Sequence, residues 1–121
     1  MIVGLGIDVV QVARVARMLN VHGARFLRRC FREGEARRPE DPEHLAGLLA
    51  AKEAAFKALG TGWGEGVGWL HVGIGRTGSG APELELEGPA RVRAAALGAR
   101  RSLVSITHAG GVAVAVVVME S

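Results

Sequence analysis

At 121 residues, 49% of them hydrophobic, the chain has the length of one domain, residues 1–121, built on one core of ordinary size, and no second domain is expected within it. The longest apolar run, Val112 to Met119, falls short of the roughly 18–20 residues that span a bilayer, and no charged-then-apolar signal opens the chain, so no membrane role and a cytoplasmic location are expected. The net charge of +3 rests on thirteen arginines and two lysines, and eight of those arginines fall within residues 14 to 38 against only Glu33 and Glu35; with five aromatics, no Tyr and no base-stacking motif, this basic belt predicts an acidic partner rather than nucleic acid.

In chain order, Ile2-Val3-Gly4-Leu5-Gly6-Ile7 predicts a short buried strand that Asp8 ends. Val12, Val15, Met18 and Leu19 recur at helical spacing up to a turn at Asn20-Val21-His22-Gly23, and Phe26, Leu27, Cys30 and Phe31 give a second short helix its apolar side. Arg32 to Glu43, with Pro39 and Pro42, reads as a loop or a short helical turn. Cys30 has no partner for an intramolecular disulfide, and the four scattered histidines make no zinc spacing, so Cys30 is read as packing.

A long helix follows with clear ends: Asp41 is a candidate N-cap, Pro42 suits the first turn, and Gly60 follows the last periodic residue. Leu45, Leu48, Leu49, Phe56 and Leu59 form its interior face, and Glu53 lies about 60° from Phe56, at the margin of that stripe. Glycines at 60, 62, 64, 66 and 68 make a loop. Trp69 to Ile74 and Glu83 to Glu87 then predict a hairpin, a short helix begins near Pro89, and Ser102 to Thr107 and Val112 to Val118 form a second hairpin across His108-Ala109-Gly110-Gly111. The expected fold is α+β, in the order β-α-α-α-β-β-α-β-β, with antiparallel sheet packed on the long helix. The unbroken apolar run of the last strand requires cover on both faces, by core on one side and by core or a neighbouring subunit on the other.

Gly73-Ile74-Gly75-Arg76-Thr77-Gly78 matches the dinucleotide fingerprint by letter, but Ser79-Gly80-Ala81-Pro82 leads into a strand where that motif needs a helix, and no P-loop sequence occurs. Three other pieces carry chemistry. Both lysines bracket a glutamate in Lys52-Glu53-Ala54-Ala55-Phe56-Lys57, so Glu53 and Lys57 share a helix face; alone, such a pair is also common surface decoration. Asp8 at a strand end must be solvated, hydrogen-bonded or bound to a cation, or else cap the next helix. Two hard oxygen ligands from separate elements are what Mg²⁺ usually receives from protein, which makes Asp8 and Glu53 the candidate metal ligands. Ser105-Ile106-Thr107-His108 offers hydroxyls on one face of a strand and a histidine at the turn, a set able to donate to phosphate oxygens, though alternating Ser and Thr is also ordinary strand polarity.

Gly6-Ile7-Asp8-Val9-Val10 with Arg14, Ala51-Lys52-Glu53-Ala54-Ala55-Phe56-Lys57-Ala58 with Gly60-Thr61-Gly62, and Ser105-Ile106-Thr107-His108 together resemble the holo-acyl-carrier-protein synthases, the short 4′-phosphopantetheinyl transferases, in order and spacing over essentially the whole chain. The resemblance implies a 4′-phosphopantetheinyl transferase-like fold and transfer of 4′-phosphopantetheine from coenzyme A to a serine of acyl carrier protein, releasing adenosine 3′,5′-bisphosphate. It also implies Mg²⁺, a homotrimer with active sites at subunit interfaces, and a part in fatty acid biosynthesis. Carried over, Asp8 and Glu53 hold the metal, and Glu53 and Lys57 are catalytic. Lys57, Gly60, Thr61, Gly62, Ser105, Thr107 and His108 contact coenzyme A, and Arg14, Arg17, Arg25 and Arg28 dock the acidic carrier protein. Where such sequences often have an arginine and an aromatic, this chain has Leu48 and Leu49, which leaves one coenzyme A phosphate contact of the resemblance unassigned, and Gly80-Ala81-Pro82 stands where they have Gly-Lys-Pro. Two rival readings are a small basic binding module for an acidic partner, with Asp8 and Glu53 merely capping and decorating helices, and a Mg²⁺-dependent nuclease, for which two carboxylates are thin.

Overall fold

The computed structural model describes residues 1–61 and 66–121. In order these form β1 (Ile2–Gln11), α1 (Val12–His22), α2 (Ala24–Cys30), α3 (Pro42–Leu59), β2 (Val72–Arg76), β3 (Pro82–Leu86), α4 (Pro89–Ala96), β4 (Arg101–Ala109) and β5 (Val112–Glu120). The order expected from sequence holds. Trp69 to His71, expected to open the first hairpin as strand, instead form one turn of 3₁₀ helix.

α3 is the centre of the molecule. The Asp41 side chain accepts from the Glu43 amide at 3.0 Å, and Gly60 takes φ 74°, letting the Gly60 and Thr61 amides reach the carbonyls of Lys57 and Phe56. Fourteen of its eighteen residues are buried, because the larger sheet, α1 and the smaller hairpin pack around it rather than along one stripe. Glu43, Glu53 and Lys57 are the charged side chains it leaves in reach of solvent.

The larger sheet is antiparallel in the order β1-β5-β4, and β2 and β3 make a separate two-stranded ribbon. Period-two alternation sorts the residues of the larger sheet into two faces. Ala113, Ala115, Val117 and Met119 of β5 face α3 and are buried, while Leu5, Ile7 and Val9 of β1 and Leu103 of β4 stand exposed on the opposite face. β1 is therefore not the buried strand expected. It also does not end at Asp8: pairing with β5 continues through Asp8↔Ala115 to Gln11↔Val112, and Gln11 precedes α1, so Asp8 caps no helix.

β1 approaches α3 backbone to backbone. A Cβ on Gly6 would fall 1.8 Å from the carbonyl oxygen of Ala54, and one on Gly4 would fall 2.4 Å from that of Ala58. Only residues without a side chain allow this contact, and it sets how far Asp8 stands from the helix.

Lys52, the other lysine of the cluster, is fully buried and faces away from Glu53. Its ammonium lies 2.8 Å from Glu35 Oε1 and donates to the carbonyls of Val72 at 2.6 Å and Trp69 at 3.0 Å, while Glu35 Oε2 accepts from the Ile74 amide. Burial lowers the pKa of Lys52, with the Glu35 charge opposing that shift. The pair is a staple joining the helix to the ribbon, satisfied on every side as a buried charge must be.

Candidate active site

Asp8 reaches the surface of α3 from the inner face of β1. Lys57 Nζ donates to Asp8 Oδ1 at 2.8 Å and to the Ile7 carbonyl at 3.0 Å, so strand and helix are fastened where the two glycines let them meet. Glu53, one turn back along α3, brings its carboxyl into contact with that of Asp8. Three elements of the sequence reading, Asp8, Glu53 and Lys57, are thus one site.

The electrostatics of this group are those of a like-charge pair beside one ammonium. Burial, the hydrogen bond to Asp8 and the Asp8 charge together push Glu53 up to about 7, against the opposing charges of Arg14 and Lys57. Burial also acts to raise Asp8, but hydrogen bonds from the Glu53 carboxyl and Lys57 hold it below the ordinary carboxylate range. The hydrogen bond to Asp8 raises Lys57. With both carboxyls ionised, Asp8 Oδ2 is buried and has no hydrogen-bond partner. Either a proton on Glu53 or a cation between the carboxylates must satisfy it.

That orphaned oxygen, with a second hard oxygen donor beside it, fits a small divalent cation. Among the described residues no group of three or more metal-binding side chains gathers, so the protein would give such an ion two carboxylates and leave its remaining positions to water and to substrate oxygens.

Beside Glu53 opens a cavity of about 420 Å³ between α1, α2 and α3, with Met18, Phe26 and Trp69 in its wall and Arg14, Arg25 and Arg29 on its lining. Arg14 and Arg25, both expected to dock a partner, line this cavity together. Arg17 is exposed on α1, and Arg28 turns to a different groove, with Leu27, Phe31 and Leu70. Arg29, four residues after Arg25 on α2 and so on the same helix face, lines the cavity where Arg28 does not.

The expected set on β4 divides. Because β4 runs on through Ala109, with the turn confined to Gly110 and Gly111 at φ 60° and 83°, His108 is a strand residue and faces opposite to Ser105 and Thr107. Ser105 and Thr107 lie exposed on the outer apolar face, while His108 Nδ1 is 3.1 Å from Glu43 Oε1 near the start of α3. β5 separates all three from Asp8, so one chain alone does not bring them to the carboxylate pair. Gly60 serves as the helix cap and Thr61 follows it; Gly62 lies outside the described residues.

Residues 4–117 match the family model for the 4′-phosphopantetheinyl transferase superfamily. The chain is 45% identical to a holo-[acyl-carrier-protein] synthase of Nitratidesulfovibrio vulgaris, over all of both chains, and 50% identical to one of Solidesulfovibrio magneticus, over 99% of each. Among solved structures it resembles the holo-[acyl-carrier-protein] synthase of Neisseria meningitidis (32% identity, all of both chains, TM-score 0.88). It also resembles that of Helicobacter pylori in complex with coenzyme A (31% identity, 96% of this chain and 99% of that one, TM-score 0.85).

Proposed function

This chain belongs to the 4′-phosphopantetheinyl transferase superfamily, and on that premise we propose that it is a holo-acyl-carrier-protein synthase, moving 4′-phosphopantetheine from coenzyme A to a serine of apo acyl carrier protein and releasing adenosine 3′,5′-bisphosphate. The observation that carries the chemistry is the contact between the Asp8 and Glu53 carboxyls around an unpartnered buried oxygen.

Asp8 and Glu53 would hold Mg²⁺, which supplies charge neutralisation along the diphosphate of coenzyme A. Lys57 adds a fixed positive charge at the same place; its raised pKa keeps it protonated throughout the neutral range. The serine oxygen bonds to the phosphorus bearing the pantetheine, and the bond from that phosphorus to the nucleotide oxygen breaks. The serine proton passes to Glu53, the carboxylate beside Asp8 that is left free to accept it.

Arg14 and Arg25, at the mouth of the cavity beside Glu53, dock the acidic carrier and bring its serine to this pair, with Arg17 and Arg28 extending the positive field. The exposed Leu5, Ile7, Val9 and Leu103 make one apolar sheet face continuous with the half-buried valines of β5. We read that face as the seam of a homotrimer, in which Ser105, Thr107 and His108 of one copy complete the coenzyme A site of another. The same reading places the protein in the cytoplasm, supplying holo carrier protein for fatty acid biosynthesis.

Incubation with coenzyme A, apo carrier protein and Mg²⁺, with the carrier then weighed by mass spectrometry, tests the assignment. The carrier should gain one phosphopantetheine, and the gain should vanish in chelator. An unmodified carrier in all conditions would refute it.

A further inference from the structure

α4 contributes nothing to the site described above. Its buried residues are two alanines, Ala90 and Ala94, while Val92 is exposed. From between the alanines Arg93 reaches the C-terminal end of α3, where its Nε donates to the Leu59 carbonyl at 2.8 Å. Given the transferase reading, on which the inference rests, we propose that Arg93 is a positioning residue for the transfer, locking the last turn of α3 and so holding Lys57 and the Gly60-Thr61 turn in place.

The last turn of a helix leaves four carbonyls without intrahelical donors, and such an end frays unless they are met from elsewhere. Here the Gly60 amide donates to the Lys57 carbonyl, the Thr61 amide to that of Phe56, and the Arg93 guanidinium to that of Leu59. Gly60 is shaped to this arrangement: a Cβ on it would stand 3.4 Å from Arg93 Nη2, so the guanidinium lies directly against the cap. A positive group at this point also faces the negative end of the dipole of an eighteen-residue helix.

The same turn is met from another side by β1, whose Gly4 lies so close to the Ala58 carbonyl that a Cβ would fall 2.4 Å from its oxygen. Strand and arginine thus grip adjacent residues, Ala58 and Leu59, and Lys57 precedes both. A lysine this near a helix C-terminus can fold back onto the terminal carbonyls. Lys57 instead spends its ammonium on Asp8 Oδ1 and the Ile7 carbonyl. Arg93 takes the capping task at Leu59, about 200° around the helix from Lys57, and leaves the lysine to the site.

The test compares the wild type with Arg93→Met, which keeps the stem and removes the donors, and Arg93→Lys, which keeps a donor and the charge, by amide hydrogen exchange without ligands and by steady-state transfer. In Arg93→Met the Gly60 and Thr61 amides should exchange about tenfold faster, the scale of one hydrogen bond to a charged group, with the central amides of α3 unchanged. Its kcat should fall about fivefold, the scale of a charge at a helix end, with KM for the carrier unchanged, and Arg93→Lys should recover most of both losses. In a Lys57→Met background the further change Arg93→Met should lower kcat little, because the lysine it positions is gone. Should Arg93→Met fail to fold, Arg93→Gln carries the same comparison. Unchanged exchange at Gly60 and Thr61, faster exchange along the whole of α3, or an undiminished fivefold loss without Lys57 overturns the inference and leaves the transferase reading intact. A wild type that transfers nothing, whatever the exchange shows, would sink both.

Discussion

Lys57 Nζ sits 2.8 Å from Asp8 Oδ1, joining the helix to the strand forty-nine residues earlier in the chain, and more than half of the lysine side chain remains open to solvent. An exposed ion pair of this kind contributes little to stability, whereas a preorganised cation beside a reacting phosphate is worth far more to the rate.

Lys57→Met should therefore lower kcat by about a hundredfold while shifting the melting temperature by no more than a few degrees. Steady-state kinetics at saturating coenzyme A, paired with a thermal melt, decides it. A large loss of stability with kcat retained would mean that the lysine only braces the strand.

Glu53 ties stability to pH in the metal-free protein. Its folded pKa, about 7, lies above the ordinary 4.5, so its contribution is fully present below about pH 4.5 and is lost as pH rises through 7. Asp8, held low, acts in the opposite sense and in a separate acidic window, losing its contribution as pH falls below its ordinary 3.8. In chelator, the melting temperature should decline between pH 5 and 8, and Glu53→Gln should flatten that decline while abolishing transfer. Mg²⁺ should restore stability at pH 8 to the wild type but not to Glu53→Gln.

Gly6→Ala should be among the most damaging single-methyl changes available. The added carbon would lie 1.8 Å from the Ala54 carbonyl oxygen, and that neighbour is helix backbone, so the strand must retreat. Overpacking of this kind costs about 3 kcal/mol in urea unfolding, and the folded fraction should turn over slowly because Asp8 retreats with the strand. Wild-type stability in this variant would contradict the backbone contact.

Arg14→Ala should raise KM for the carrier severalfold with kcat almost unchanged, and the difference from wild type should shrink as salt is added, since exposed charges are screened over about 8 Å at physiological ionic strength. Unchanged carrier affinity at low salt would remove Arg14 from the docking surface.

Ile7→Lys places a charge in the middle of the exposed apolar face, 58% accessible in a single chain. If that face is the seam between copies, light scattering should show the wild type as a trimer and the variant as a folded monomer with little activity. A monomeric wild type would withdraw the assembly.

Much of this was legible from residue order. Caps at Asp41 and Gly60, helical spacing through α1 and α2 and the glycine turn before β5 are local signals, and each element appears where they point. The spacing of Glu53 and Lys57 also fixed their shared face, because four residues on a helix allow little else. Strand ends were less legible: Asp8 disfavours a strand by propensity, but pairing with β5 carries β1 on to Gln11, a tertiary contact overriding a local preference.

What residue order alone determined, then, is the set of elements and the chemical kinds of side chain that three separated segments offer. Tertiary structure decided which of those side chains meet. It joined Asp8 to Glu53, because two glycines let a strand lie on helix backbone, and it drew Lys52 away from its neighbour to staple Glu35 in the core. It also divided Ser105 and Thr107 from His108, because one more paired residue turns a strand side chain to the other face. Distances across elements depend on packing that no single segment contains.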